Sequence, residues 1–249
     1  NLKIESKNTR NVGLFAVVGG SQVQPRVGIA NKDVLGVTTS IKNIHLSDFS
    51  VEGKGVVGAL VGLSNGAVID NVSVTDSDVT GNFKVGGLIG HSLDGTTIHN
   101  AKVTDIDTSG MFSVGGLIGS SSNTEVNDVR VINSDTTGRY RNEEEDAGNE
   151  HIGGLIGYSE TTDITNVLVK NSKVSGGDDV GGLVGYSENT NIADVRINNI
   201  KVTGEDGVGG LVGHAVFDPE PFGPTAAGRF SKIAIDESRS LIKNVRVKN

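Results

Sequence analysis

Valine and isoleucine fall in short runs along this chain, and two of those runs return at one shared spacing. The first reads Val-Gly-Gly-Leu-Ile/Val-Gly at residues 85–90, 114–119, 180–185 and 208–213. It recurs with Ile152 leading at 152–157, and as a variant at 57–62 with Ala59 in place of the second glycine. Successive copies start 28, 29, 38, 28 and 28 residues apart. The second reads Ile-x-Asn-Val-x-Val at 69–74, 164–169 and 242–247, and recurs in looser form at 41–46, 98–103, 126–131 and 192–197. In the first six copies a glycine closes the segment that follows: Gly53, Gly81, Gly110, Gly138, Gly176 and Gly204. A fixed period in the 20–50 range marks a stacked-repeat architecture, and it outranks any local reading.

One unit therefore reads strand, turn, strand, glycine turn, glycine-rich strand, turn. That predicts an all-β, parallel β-solenoid (β-helix) with coils of about 28 residues and three short strands. A lone strand leaves its amides unanswered, but the same strand one coil away, at ~4.8 Å, answers them in parallel. Val72, Ala101, Val129, Val167 and Val195 should then stack as one buried column. Alternation breaks at Asn43, Asn71, Asn100, Asp128, Asn166, Asp194 and Asn244. A corner there would turn both Ile69 and Val72 inward, and asparagine suits a corner that hydrogen-bonds to its own repeat.

The repeat spans nearly the whole chain, so residues 1–249 are expected to form a single solenoid domain. Three interruptions, at about 21–40, 139–151 and 214–241, are expected to leave the stack as loops. Loops are where partner contacts concentrate, which singles out Tyr140, Arg141, Glu143, Glu144, Glu145, Asp146, Phe217 and Phe222. The opening Asn1-Leu2-Lys3 and the repeat at the far end read as a piece of a longer chain or a processed form.

Composition narrows the chemistry. A net charge of −8 lacks the basic footprint that nucleic acid needs, and no apolar run approaches a membrane helix. The absence of cysteine removes disulfides and thiolate chemistry. The glycine phrases lack the Lys-Ser/Thr of a phosphate loop and the spacing of a dinucleotide fingerprint. None of the five histidines opens a His-Glu-x-x-His zinc pattern. His91 and His214 share one repeat position with Tyr158 and Tyr186, read here as a decorated turn rather than a ligand set. No Gly-x-Ser-x-Gly elbow appears. The chain is expected to be non-catalytic and without a cofactor, calcium excepted. In register, Asp76, Asp78, Asp105, Asp107 and Asp135 would crowd one patch, and oxygen-only ligands suit calcium. A solvated acidic face is the plainer reading, since exposed charges are screened.

The two coupled phrases resemble the GLUG repeat of bacterial surface proteins over about residues 12–247. The resemblance implies an extracellular or cell-surface solenoid that binds or spaces within an adhesin-type protein. It also allows the accessory region of an IgA1-specific zinc metallopeptidase. A carbohydrate-active β-helix is the third reading, disfavoured by scarce aromatics (4%). The partner expected is a host or neighbouring-cell protein or glycan, with no nucleic acid and no membrane insertion. Open coil ends add end-to-end self-association as a further expectation.

Overall fold

A computed structural model describes residues 2–7, 10–19, 39–139, 150–216 and 242–248. Every regular element among them is a strand, and none is a helix long and apolar enough to cross a membrane. The strands form three sheets, one of 11 strands and two of seven, each paired in parallel with its copy in the adjacent coil. The β-solenoid is as the period predicts. Coils open at Ser40, Val68, Thr96, Thr124, Asp163 and Asn191. The degenerate first unit stacks as well, with Val12 opposite Val57 and Phe15 opposite Val61.

Each coil has three strands, but they are unequal. The first is long, as in Val68–Thr80 and Thr96–Gly110. Two shorter ones follow, such as Phe83–Gly86 and Ile89–Leu93. The long strand bends twice; the ladder skips the corner residues and resumes after each. In the coils that open at Thr124 and Asn191 the strand is broken at one bend. Its first bend is the asparagine column, where all seven residues take φ between 51° and 58°. Asparagine and aspartate reach this left-handed region more readily than other side chains, and the bend brings both Ile69 and Val72 inside. The expected column forms in register, Val72 to Ala101 to Val129 to Val167, with Val195 also buried.

The second bend comes five residues later, at Asp48, Asp76, Asp105, Asn133, Asn171 and Asn199, with φ between 47° and 58°. All six residues are exposed, as an outward row requires, and the row is also a second corner. Its backbone is answered by the next coil. The Phe49 amide donates to Ser77 Oγ at 3.3 Å, and the Ser134 amide to Ser172 Oγ at 3.1 Å. These serines are buried because they serve that role.

The glycine phrase turns the chain between the second and third sheets. A Cβ on Gly115 would stand 1.9 Å from the Ile118 carbonyl oxygen, and one on Gly116 2.3 Å from that of Gly154. The first closeness comes from the bend itself and the second from the neighbouring coil, so both positions exclude any side chain. Ala59 is tolerated where the pairing is irregular: Val56 faces Phe83 and Val57 faces Val85, so that coil lacks a counterpart of Lys84.

The interruptions are narrower than their sequence bounds. Ser40 already belongs to a long strand, Glu150–Gly153 has resumed pairing, and His214 to Val216 remain in the third sheet. Ile242 and Ala193's partner Lys243 rejoin the long-strand sheet. The core is a continuous, mainly aliphatic cluster accompanied by buried serines and threonines. Thr108 and Thr136 face each other across adjacent coils, buried, with neither hydroxyl hydrogen-bonded among the described residues.

Candidate functional site

Tyr140, Arg141, Glu143, Glu144, Glu145, Asp146, Phe217 and Phe222 lie outside the described residues. The candidate chemistry within reach is therefore on the walls of the stack, where one residue type repeated at one position becomes a column.

The acidic column is real in register. Asp78 faces Asp107, which faces Asp135, on the flat stretch after the second corner. Asp76 and Asp105 occupy the corner itself. They do not converge on a common point: among the described residues no group of three or more His, Asp or Glu is placed to hold a metal ion. Local partners take up part of the charge. Asn133 Nδ2 donates to Asp105 Oδ1 at 3.1 Å, and Lys173 Nζ pairs with Asp135 Oδ2 at 2.9 Å. Partial burial, then the carboxylates of Asp135 and Asp78, push the Asp107 carboxyl above its usual range.

A second constellation lies between the third sheet and the second. Leu63, His91, Ser120, Tyr158, Tyr186 and His214 form one column in register. His91 lies within the strand Ile89–Leu93 and His214 within Val212–Val216, so the position is a strand position and not a turn. Tyr158 and Tyr186 stack at 5.4 Å between centroids with planes 7° apart. His151 rests against both, at 5.6 and 4.9 Å, and His214 against Tyr186 at 5.0 Å.

The column beside it holds Lys84, Ser113, His151, Asp179 and Gly207, all at positive φ within strands of the second sheet. Asp179 bridges two coils: its carboxylate oxygens lie 3.3 Å from His151 Nε2 and 3.2 Å from His214 Nδ1. Tyr158 donates its hydroxyl to Glu188 at 3.0 Å. Burial, and then that bond, hold the tyrosine well above its usual ionisation range. Lys84 Nζ sits 3.1 Å from His91 Nε2. Burial first, and Lys84 second, drop His91 to about 4, so it is neutral and accepts from the ammonium. Burial also lowers His151, against the opposing pull of Asp179 and Glu150.

Chemically this row binds itself. The tyrosine faces are taken by neighbouring rings, and the carboxylates are engaged by the groups of adjacent coils. Sequence reasoning saw that the two histidines and two tyrosines share a position. It missed His151 and Asp179, which come from a different repeat position. The residue one place before each Val/Ile-Gly-Gly was the available signal.

Buried hydroxyls form another missed feature. Ser92 and Thr124 approach at 2.8 Å, Ser121 and Thr162 at 3.0 Å, and Ser159 and Thr190 at 2.9 Å, all at the corner entering the long strand. They satisfy buried polar groups coil to coil, as a dry interior demands.

Comparison with known proteins bears on the repeat itself. No curated protein and no solved structure matches the chain. The family model of the GLUG motif matches residues 148–180. That stretch holds one Ile-Gly-Gly-Leu-Ile-Gly turn, the long strand Asp163–Ser175 and the start of the next turn, Asp178–Gly181. The match thus covers about one coil, and the coils on either side pair with it residue for residue. The chain is a β-solenoid that carries the GLUG motif.

Proposed function

We propose that this chain is a non-catalytic binding or spacer segment of a bacterial adhesin-type protein at the cell surface or outside the cell. The observation that carries the reading is how its polar side chains are used. Asparagine, serine, histidine, tyrosine and carboxylate groups answer the coil above or below, instead of converging on a shared point. Such a wall suits a stiff rod that holds a surface at a distance. The GLUG match at 148–180 supports the same reading, because that motif is at home in repeat-containing bacterial proteins. The expected partner is a protein or glycan of a host or neighbouring cell.

The test is display and capture. Antibody raised against the purified chain should label intact cells of the source organism, and beads coated with the chain should be retained on host matrix or glycan arrays. Labelling only after cell lysis would sink the surface assignment. Turnover of a peptide or polysaccharide by the purified chain would sink the non-catalytic one.

A further inference from the structure

Over five successive coils, from the one that opens at Val68, the flat stretch after the second corner carries one outward charge each. In order along the stack these are Asp78, Asp107, Asp135, Lys173 and Lys201, joined by strand register at every step. Within these five coils the sign changes once, between Asp135 and Lys173; beyond Asp78 the column continues through Ser50 to Lys3. Asp78, Asp107, Lys173 and Lys201 are exposed. Among these five residues the one ion pair is the junction pair, Lys173 Nζ to Asp135 Oδ2 at 2.9 Å. The acids to one side and the lysine to the other are left stacked on their own kind.

Like charges one coil apart, ~4.8 Å, repel. Burial first, and then the carboxylates of Asp135 and Asp78, raise the proton affinity of Asp107. A partner that carried the opposite charge sequence would relieve both halves together. This chain, turned end for end, carries that sequence.

We propose that two copies of this chain pair side by side and antiparallel through this face. Their twofold axis passes between Asp135 and Lys173. The axis sets Asp135 of each copy against Lys173 of the other, and Asp107 against Lys201. The contact is isologous, so it closes at two copies and does not propagate into a fibre. The surroundings allow close approach. The neighbouring outward column is Thr80, Ser109, Thr137, Ser175 and Thr203, short hydroxyl side chains in register. A shallow cleft of about 420 Å³ beside Lys173 and Lys201 offers room for the incoming acids. A polyanion would answer the lysine half only and leave the aspartate half repelling, so a second copy accounts for more of the face. The proposal goes beyond the surface role and stands whether or not that role holds.

Sedimentation velocity on the purified chain tests it. The wild type should dimerise at about 0.1 M salt and weaken by about tenfold or more at about 1 M, where the screening length falls from about 10 to about 3 Å. Lys173→Glu/Lys201→Glu should be monomeric, and so should Asp107→Lys/Asp135→Lys. An equimolar mixture of the two variants should form a heterodimer, because every facing pair is then opposite in sign. Should a reversal variant fail to fold, Lys173→Gln/Lys201→Gln serves in its place and should also be monomeric. A wild type that is monomeric at low salt overturns the proposal. A dimer indifferent to the lysine substitutions does the same. Retention of a monomeric wild type on heparin through these lysines would assign the face to a polyanion and also overturn it.

Discussion

Asn71 donates to Asn43 Oδ1 at 2.6 Å, and Asn100 donates to Asn71 Oδ1 at 3.2 Å. Asn166 reaches Asp128 at 3.4 Å and Asn244 reaches Asp194 at 2.9 Å. The direction is the same each time: an amide gives its proton to the coil before it. An aspartate accepts from the coil after it but has nothing to give, so the ladder stops wherever aspartate stands, above Asn100 and again above Asn166. Asp128→Asn should restore the missing link to Asn100 and still accept from Asn166. One added side-chain hydrogen bond contributes about 0.5–1.5 kcal/mol, and the left-handed backbone at φ 53° suits asparagine as well as aspartate. Urea unfolding should show a higher midpoint with an unchanged slope. A lower midpoint would mean that the carboxylate itself serves the corner.

The elements meet where strands of the second and third sheets bring Lys84 and His91 together, and there burial controls charge. His91, buried against Lys84, titrates at about 4 in the fold and at its ordinary 6.5 when the chain is open. Between those values the unfolded chain binds the proton and the folded one does not, so stability rises with pH across that window. The contribution is complete above about 6.5 and lost as pH falls through about 4. His91→Gln should therefore flatten part of the decline in melting temperature between pH 7 and 4 while changing little at pH 7. Parallel melting curves for variant and wild type would undercut the account. Asp107 works with the opposite sign. Its raised carboxyl makes the ionised form unfavourable in the fold, so stability falls as pH rises through the carboxylate range.

For the whole molecule, cohesion between coils is distributed over many short parallel ladders and one aliphatic core. Solenoid stability is close to a sum over neighbouring coils, and the long strands on either side of the second interruption pair across its base. Replacing residues 140–149 with a short Gly-Ser linker should leave the melting temperature within about 3 °C, because loop length enters closure entropy only logarithmically. Loss of the cooperative transition would show that the segment belongs to the fold. The same additivity explains how coils of one construction carry unlike faces. Inward positions must be small and aliphatic to stack, whereas outward ones are free to change from aspartate to lysine within a single column.

Period, strand direction, buried columns and the first corner were legible from residue types alone. Each is set by a local requirement that repeats: a β-branched side chain inward, an asparagine at φ near 55°, a glycine where two backbones touch. The second corner was present in the sequence too, as Asx five places after the first, but aspartate there reads equally as surface charge. Only the stacked backbone shows that it is both. The His151, Asp179 and His214 cluster and the pairing of Ser92 with Thr124 depended wholly on tertiary structure. They join different repeat positions from different coils, and their contacts follow from how the coil closes on itself, which no spacing along the chain encodes. The reversal of charge at Asp135 and Lys173 is written in the sequence as scattered residues. It becomes a surface only when register places them ~4.8 Å apart on one wall.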